Sequence, residues 1–258
     1  MKIREIVDYL DSKFRPELQE DYDNSGFLLG RGDTEYHGSL VSLDLTLAVI
    51  DEAIASGCNL IVTHHPFIFH GILRLTDGDA TGQMIEKLIK NDLAVYAAHT
   101  NLDNLAWGVN GILAEKLQLQ NCRILKASVD ADTGAGMVGT LATPLPTADF
   151  LLQVKELVGM PAIRYAGEKN TVQRVALCGG AGGFLIDDAL TAGADIFLTA
   201  DLKYHDFQHG TDQLVLADIG HYESEQFAKE IIFHTIYEKF SNFAVRISER
   251  QQSIVRYI

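Results

Sequence analysis

Short apolar runs alternate along this chain with longer segments of helical rhythm, and that alternation admits few folds. Strand-length runs fall at 40–45, 60–63, 93–98, 138–142, 163–165, 174–178, 196–199, 214–217 and 243–247. Helical segments fall between them at 47–56, 82–91, 109–117, 148–158, 185–192 and 223–240. Strands that alternate with helices form βαβ units, and such units build mostly parallel sheets. The opening segment obeys the same logic. Ile3, Ile6, Val7 and Leu10 fall at i, i+3, i+4 and i+7, one face of an amphipathic helix. Thr46 is placed to cap the helix over 47–56, with Gly57 just past its end. At 258 residues the chain suits one large domain or two small ones. The polar, glycine-containing stretch 126–136 is the expected break. The expectation is therefore an α/β protein of two interlinked lobes, 1–125 and 126–258, each layered helix–sheet–helix.

Charge and cysteine content narrow the function classes. Asp plus Glu number 35 against 21 Lys plus Arg, a net charge of −14. Such a chain lacks the diffuse basic surface that holds a nucleic-acid backbone, so nothing in the sequence directly supports nucleic-acid binding. The cysteines at 58, 122 and 178 show no CxxC spacing, which argues against a disulfide framework, a zinc ribbon or a thioredoxin-type site. The N-terminal MKIREIVDYLDSKF has no apolar core followed by a small-residue cleavage site. No apolar run approaches membrane-helix length. A cytoplasmic protein with no membrane partner is expected.

In open α/β sheets, ligands bind beyond the carboxyl ends of the strands. The residues just past each strand are therefore the candidates for chemistry. His64 and His65 come after 60–63, while His99 and Asp103 come after 93–98. Asp201, Lys203, Tyr204 and His205 come after 196–199; Asp218, His221 and Glu225 lie beyond 214–217. Each has an ordinary reading: rim histidines, an Asx turn or cap at Asp103, a glutamate favouring a helix N-terminus at Glu225. The chemical reading is collective. Pro66 breaks the strand at the histidine pair, so both imidazoles can serve one region. His221 and Glu225 are i and i+4, on one helical face if the helix begins near His221. Mixed nitrogen and oxygen ligands without thiolate suit Zn, Mn, Fe or Ni, and do not select among them. The run GGAGG at 179–183 matches neither GxGxxG nor a P-loop, and serves either as a tight turn or as an anion contact.

Taken in order, EDYDNSGFLLG (20–30), SLDLTLAVIDEAIASGCNLIVTHHPFIF (42–69), AAHTNLDN (97–104), CGGAGG (178–183), TADLKYHD (199–206) and DIGHYESE (218–225) resemble one family across nearly the whole chain. It is the family of GTP cyclohydrolase I type 2 homologues, also called NIF-three-like. The resemblance implies two α/β lobes with a dinuclear metal site between them. It places the ligands at His64, His65, Asp103, His221 and Glu225, with Glu225 bridging. It further implies a toroidal homohexamer, and at this length a short form without the inserted domain of longer members. His70 departs from the family pattern after HHP, a difference that bears on substrate contact.

The functional expectation is a metal-dependent hydrolase with two divalent ions per chain, acting on a nucleotide or related small molecule. His99 and His205 are candidates for supporting or proton-transfer roles. The alternative is a non-catalytic protein that carries metal and delivers it to partners.

Overall fold

The computed structural model describes residues 1–76, 78–128 and 130–258, and divides into two compact units. The first comprises Met1–Leu102 and Ala228–Ile254, the second Asp103–Phe227 and Val255–Ile258. The break therefore lies at Leu102, not near residue 125, and the chain returns to the first unit after completing the second. The stretch 126–136 joins and overlaps two strands of one hairpin, and Val129 within it lies outside the described residues. Its polar, glycine-containing character serves a tight connection, which carries the same composition as a linker.

In the first unit, β2 (Gly38–Ser42), β3 (Leu60–Thr63) and β4 (Ala94–Ala97) run parallel, and β11 (Ala244–Ile247) joins β2 in parallel. A strand that the apolar pattern does not reveal, β1 (Gly26–Leu29), adds antiparallel to β4, giving the order β1-β4-β3-β2-β11. Flanking turn chemistry and short length conceal it. Helix α1 (Ile3–Phe14) buries the expected face of Ile3, Ile6, Val7 and Leu10. Helix α2 (Leu47–Ser56) begins where Thr46 Oγ1 accepts from the Val49 amide at 3.2 Å, and ends at Gly57 with φ +71°. The side chains of Val49, Ile50 and Ala53 meet Leu40, Ile61 and Val95 from the sheet and Leu88 from α3 (Ala80–Lys90). β2, β3 and β4 are buried along their whole length, so β3 can only release polar side chains at its carboxyl end, where His64 and His65 stand.

The second unit is a mixed sheet, β5-β6-β8-β9-β10-β7. β8 (Thr171–Leu177), β9 (Ile196–Thr199) and β10 (Val215–Asp218) are parallel. β5 (Gln120–Ala127), β6 (Gly134–Pro146) and β7 (Arg164–Ala166) are antiparallel to their neighbours. Alternation along β8 feeds two cores. Val175 and Leu177 pack with Phe150, Val154 and Val158 of α6 (Thr147–Val158) and with Leu113 of α5 (Val109–Lys116). Ala176 packs with Phe197, Leu216, and Ile186 and Ala189 of α7 (Ile186–Thr191). The expected single helix over 223–240 is two, α8 (His221–Glu225) and α9 (Ala228–Lys239), the second belonging to the first unit. No helix among the described residues is long and apolar enough to cross a membrane.

One carboxylate ties β8 to the start of β9. Asp195 accepts from the Gln173 and Arg174 amides, each at 2.8 Å, and from Lys169 Nζ at 2.6 Å. Burial alone pushes its carboxyl up, but the bonds from Lys169 and the two amides outweigh burial and hold it below the usual range. A carboxyl depressed on folding stabilises above its unfolded pKa, about 3.9, and loses that contribution as pH falls. Asp195→Ala is therefore expected to cost about 1–3 kcal/mol at pH 7. The deficit relative to the parent should close as pH falls below about 4, in denaturant melts across that range. A deficit independent of pH would mean that the lost packing, not the charge, mattered.

Candidate metal centre

Three imidazoles gather in the first unit. The chain turns at the end of β3 because the His64 and His65 amides both donate to Leu43 O, at 3.1 and 2.9 Å. This turn brings adjacent residues, which a straight strand would send to opposite faces, into one cluster. The His64 and His65 ring centres lie 4.9 Å apart, and His99 lies 5.3 and 5.4 Å from them. His64, His65 and His99 each offer a nitrogen within 4.8 Å of the others, a spacing that could hold a metal ion. His99 leads into α4 (Thr100–Asp103), where Asn101 Oδ1 accepts from the His99 amide and Asn101 Nδ2 donates to Phe14 O. Leu102 is buried, so the polar loop HTNLDN is anchored in the core.

Each ring is oriented through Nδ1. His64 Nδ1 lies 2.7 Å from Ala98 O, and a carbonyl can only accept, so this nitrogen carries the proton. His65 Nδ1 donates to Asp44 Oδ1 at 2.7 Å, and His99 Nδ1 to Asp23 Oδ1 at 2.7 Å. In the neutral form of each ring, a proton on Nδ1 puts the lone pair on Nε2. Asp23 also accepts from the amides of Asn24 and Thr100 and from the hydroxyls of Ser25 and Thr100. Burial raises its carboxyl, yet the bonds from His99 and Thr100 overcome burial and hold it far below the usual carboxylate range. Asp23 is thus a fixed anion beneath His99.

The second unit contributes a pair on α8. His221 Nδ1 donates to Asp201 Oδ2 at 2.8 Å. Its Nε2 faces Glu225 Oε2 at 3.1 Å, one turn on, and Glu225 is buried. The carboxylate lies in a cradle made by Gly180, whose φ is +62°. A Cβ at Gly180 would stand 2.0 Å from Glu225 Oε1. Asp103 closes α4 and belongs to this unit. Burial pushes the Cys178 thiol up, and the Asp103 and Glu225 carboxylates push it further, so both acids lie near that thiol.

The glycine run serves as a turn. The amides of Gly179, Gly180 and Gly182 donate to Asn110 Oδ1, Ser224 Oγ and Thr199 Oγ1, and are taken up by the protein itself. His205 is exposed against Tyr204 and joins no group of three possible ligands among the described residues. His70 is likewise exposed, its ring 5.0 Å from Phe69. Two residues with a part in the geometry carry no signal of it in the sequence. Asp44 falls within the apolar run 40–45, although the strand itself ends at Ser42, and Asp23 lies in what reads as a plain turn. Asp201 stands at a strand end, but nothing in the sequence ties it to His221.

The model of the Duf34/NIF3 (NGG1p interacting factor 3) family matches residues 1–253. The chain belongs to the DUF34/NIF3 family. A Clostridium perfringens relative named GTP cyclohydrolase 1 type 2 homolog is 35% identical over 228 residues, covering 87% of each chain. A Streptomyces coelicolor relative of the same name is 34% identical, covering 87% of this chain and 81% of its own. Among solved structures, a Staphylococcus aureus hypothetical protein superposes with a TM-score of 0.91 at 30% identity, covering 100% of this chain and 99% of its own. The DUF34/NIF3 fold thus accounts for the mixed α/β architecture, and the candidate His and Glu ligands stand at its strand ends.

Proposed function

We propose that His64, His65, Asp103, His221 and Glu225 together hold two divalent ions, with Glu225 shared, and that the chain is a metal-dependent hydrolase acting on a nucleotide or related small molecule. One observation carries the reading. His221 stands between two carboxylates, with Nδ1 2.8 Å from Asp201 Oδ2 and Nε2 3.1 Å from Glu225 Oε2, so an imidazole nitrogen and a buried carboxylate oxygen converge on one point. A nitrogen and an oxygen converging in this way are two donors that one divalent ion takes. The N/O donor set and the oxygen acceptor behind each imidazole are those of a divalent metal site. The substrate class is supported by the name of the curated relatives.

When bound, a pair of such ions activates water and polarises an oxygen of the substrate. The chain's own groups do the rest. Asp44 and Asp201 hold His65 and His221 in one tautomer and orientation. Asp23 holds His99 in the same way, with Nε2 presented to accept a proton. From the family resemblance we further infer a toroidal hexamer, expected as a single species of six-chain mass in light scattering; a monomer at micromolar concentration refutes it.

The test is metal analysis of protein loaded with excess Zn, Mn, Fe or Ni and desalted, followed by a hydrolysis screen over nucleotides. About two retained ions per chain together with turnover is the expected result. Retention that never exceeds one overturns the shared-ligand arrangement. Rapid exchange without turnover assigns the chain to metal delivery instead.

A further inference from the structure

The segment that follows β11 docks on the first unit and buries a polar side chain there. As the chain leaves β11, the Ser248 amide donates to Val41 O of β2 at 2.8 Å. Glu52 of α2 then accepts from Ser248 Oγ, from the Glu249 amide at 2.9 Å and from the Arg250 amide at 3.3 Å. Burial pushes the Glu52 carboxyl up, but these bonds outweigh it and hold the group below its usual range. The segment is thus held in place before Gln251 is reached.

Gln251 is only 6% exposed. Its Nε2 donates to Asp44 Oδ2 at 3.0 Å, while Asp44 Oδ1 accepts from His65 Nδ1 at 2.7 Å. A carboxylate only accepts, so the amide turns its nitrogen to Asp44 and its oxygen away. That oxygen is buried, and among the described residues nothing donates to it. A buried acceptor without a donor costs about 1–3 kcal/mol. An apolar side chain of the same size would avoid that cost and dock as well, since Val41 and Glu52 already hold the segment. The amide is explained by what its nitrogen does for Asp44.

Asp44 is the exposed member among the groups behind the three imidazoles of this unit. Its side chain is 41% exposed, and a carboxylate open to water rotates and trades its partner for solvent. A second bond, on the other oxygen, opposes that rotation and keeps Oδ1 on His65. The other two rings have no such need. His64 Nδ1 meets a backbone carbonyl, Ala98 O, and the Asp23 side chain behind His99 is fully buried.

We propose that Gln251 is a positioning residue for His65: through Asp44 it fixes the tautomer and orientation of the ring, so that Nε2 is presented to a divalent ion. The part concerning the ion rests on the reading of His65 as a metal ligand; the hold on the ring does not.

The test uses the full-length protein and Gln251→Leu, which keeps the bulk and removes the N–H. Nitrogen NMR of histidine-labelled, metal-free protein at about pH 8, where imidazole is neutral, reads the tautomer of each ring. In the parent, His65 should carry its proton on Nδ1. In the variant, the two His65 nitrogen signals should move toward each other as the tautomers mix, with His64, His99 and the melting temperature unchanged. Zinc titration should show an affinity at least about tenfold weaker. Gln251→Met repeats the measurement if the branched side chain packs poorly. A single His65 tautomer in both variants overturns the proposal. So does an equal disturbance of all three rings, which would make Gln251 merely structural. Mixed tautomers with unchanged zinc affinity overturn its role toward the ion. Mixed tautomers where even the parent binds no zinc overturn the metal reading and leave the hold on His65 standing.

Discussion

Glu225→Ala is expected to leave fewer than about one divalent ion per chain where the parent retains about two, and Asp103→Ala to leave about one. The asymmetry follows from sharing, since removing a bridging carboxylate takes a ligand from both ions. The metal-free proteins should show a different pattern. Glu225 is 3% exposed, and its Oε2 lies 3.1 Å from His221 Nε2. Its removal from the metal-free protein takes away that contact, and a modest fall in melting temperature is expected. Metal should raise the melting temperature of the parent through mass action, and fail to raise that of Glu225→Ala. If Glu225 only favoured the N-terminus of α8, its loss would cost about 0.3–1 kcal/mol and leave metal content intact. Elemental analysis alongside melting separates the two, and full metal content in the variant ends the bridging assignment.

Gly180→Ala should be nearly as severe, though Gly180 supplies no ligand. A left-handed φ costs a non-glycine residue about 1–2 kcal/mol. The new methyl would also displace the Glu225 carboxylate, for a Cβ there stands 2.0 Å from Oε1. Gly180 cannot easily retreat. Its carbonyl accepts from the Ala200 amide at 2.8 Å and the Thr199 hydroxyl at 3.1 Å, and its amide donates to Ser224 Oγ. Metal affinity is expected to fall about 10–100-fold, as for other losses of support behind a ligand. Gly193→Ala is the control. Gly193 has φ +67° and nothing within 4 Å of an added Cβ, so its substitution carries the backbone strain alone. Equal metal affinity in the two variants would show that Gly180 matters only for its backbone.

The site is legible from the sequence wherever a strand is. The parallel strands β3, β4, β9 and β10 are apolar throughout most of their length, so the next polar residue marks a carboxyl end, and counting from there reaches His64, His99, Asp201 and His221. What escapes depends on pairs far apart in the chain. His99 with Asp23, His65 with Asp44 and His221 with Asp201 are joined by tertiary folding, and no spacing encodes them. The antiparallel additions escape for a related reason. β5 is exposed at five of its first seven positions, so its apolar signal is weak, and the turn-rich sequence around β1 masks four strand residues. The long helix expected over 223–240 breaks into two because α8 and α9 serve different units.

The return of the chain to its first unit has a consequence for synthesis. Until residues 228–254 leave the ribosome, β2 has no β11 beside it, and neither α9 nor its buried Ala228, Ile232 and Ile236 exist to cover that unit. The nascent protein therefore carries β2, apolar at Leu40 and Val41 and buried along its whole length in the finished fold, as an open sheet edge. The second unit lies almost wholly in one continuous stretch of sequence, and is nearly complete at that moment. Order of emergence thus places the hazard of aggregation on the first-made half, and makes a chaperone that shields strand edges most useful to this chain in the interval before its last helix appears.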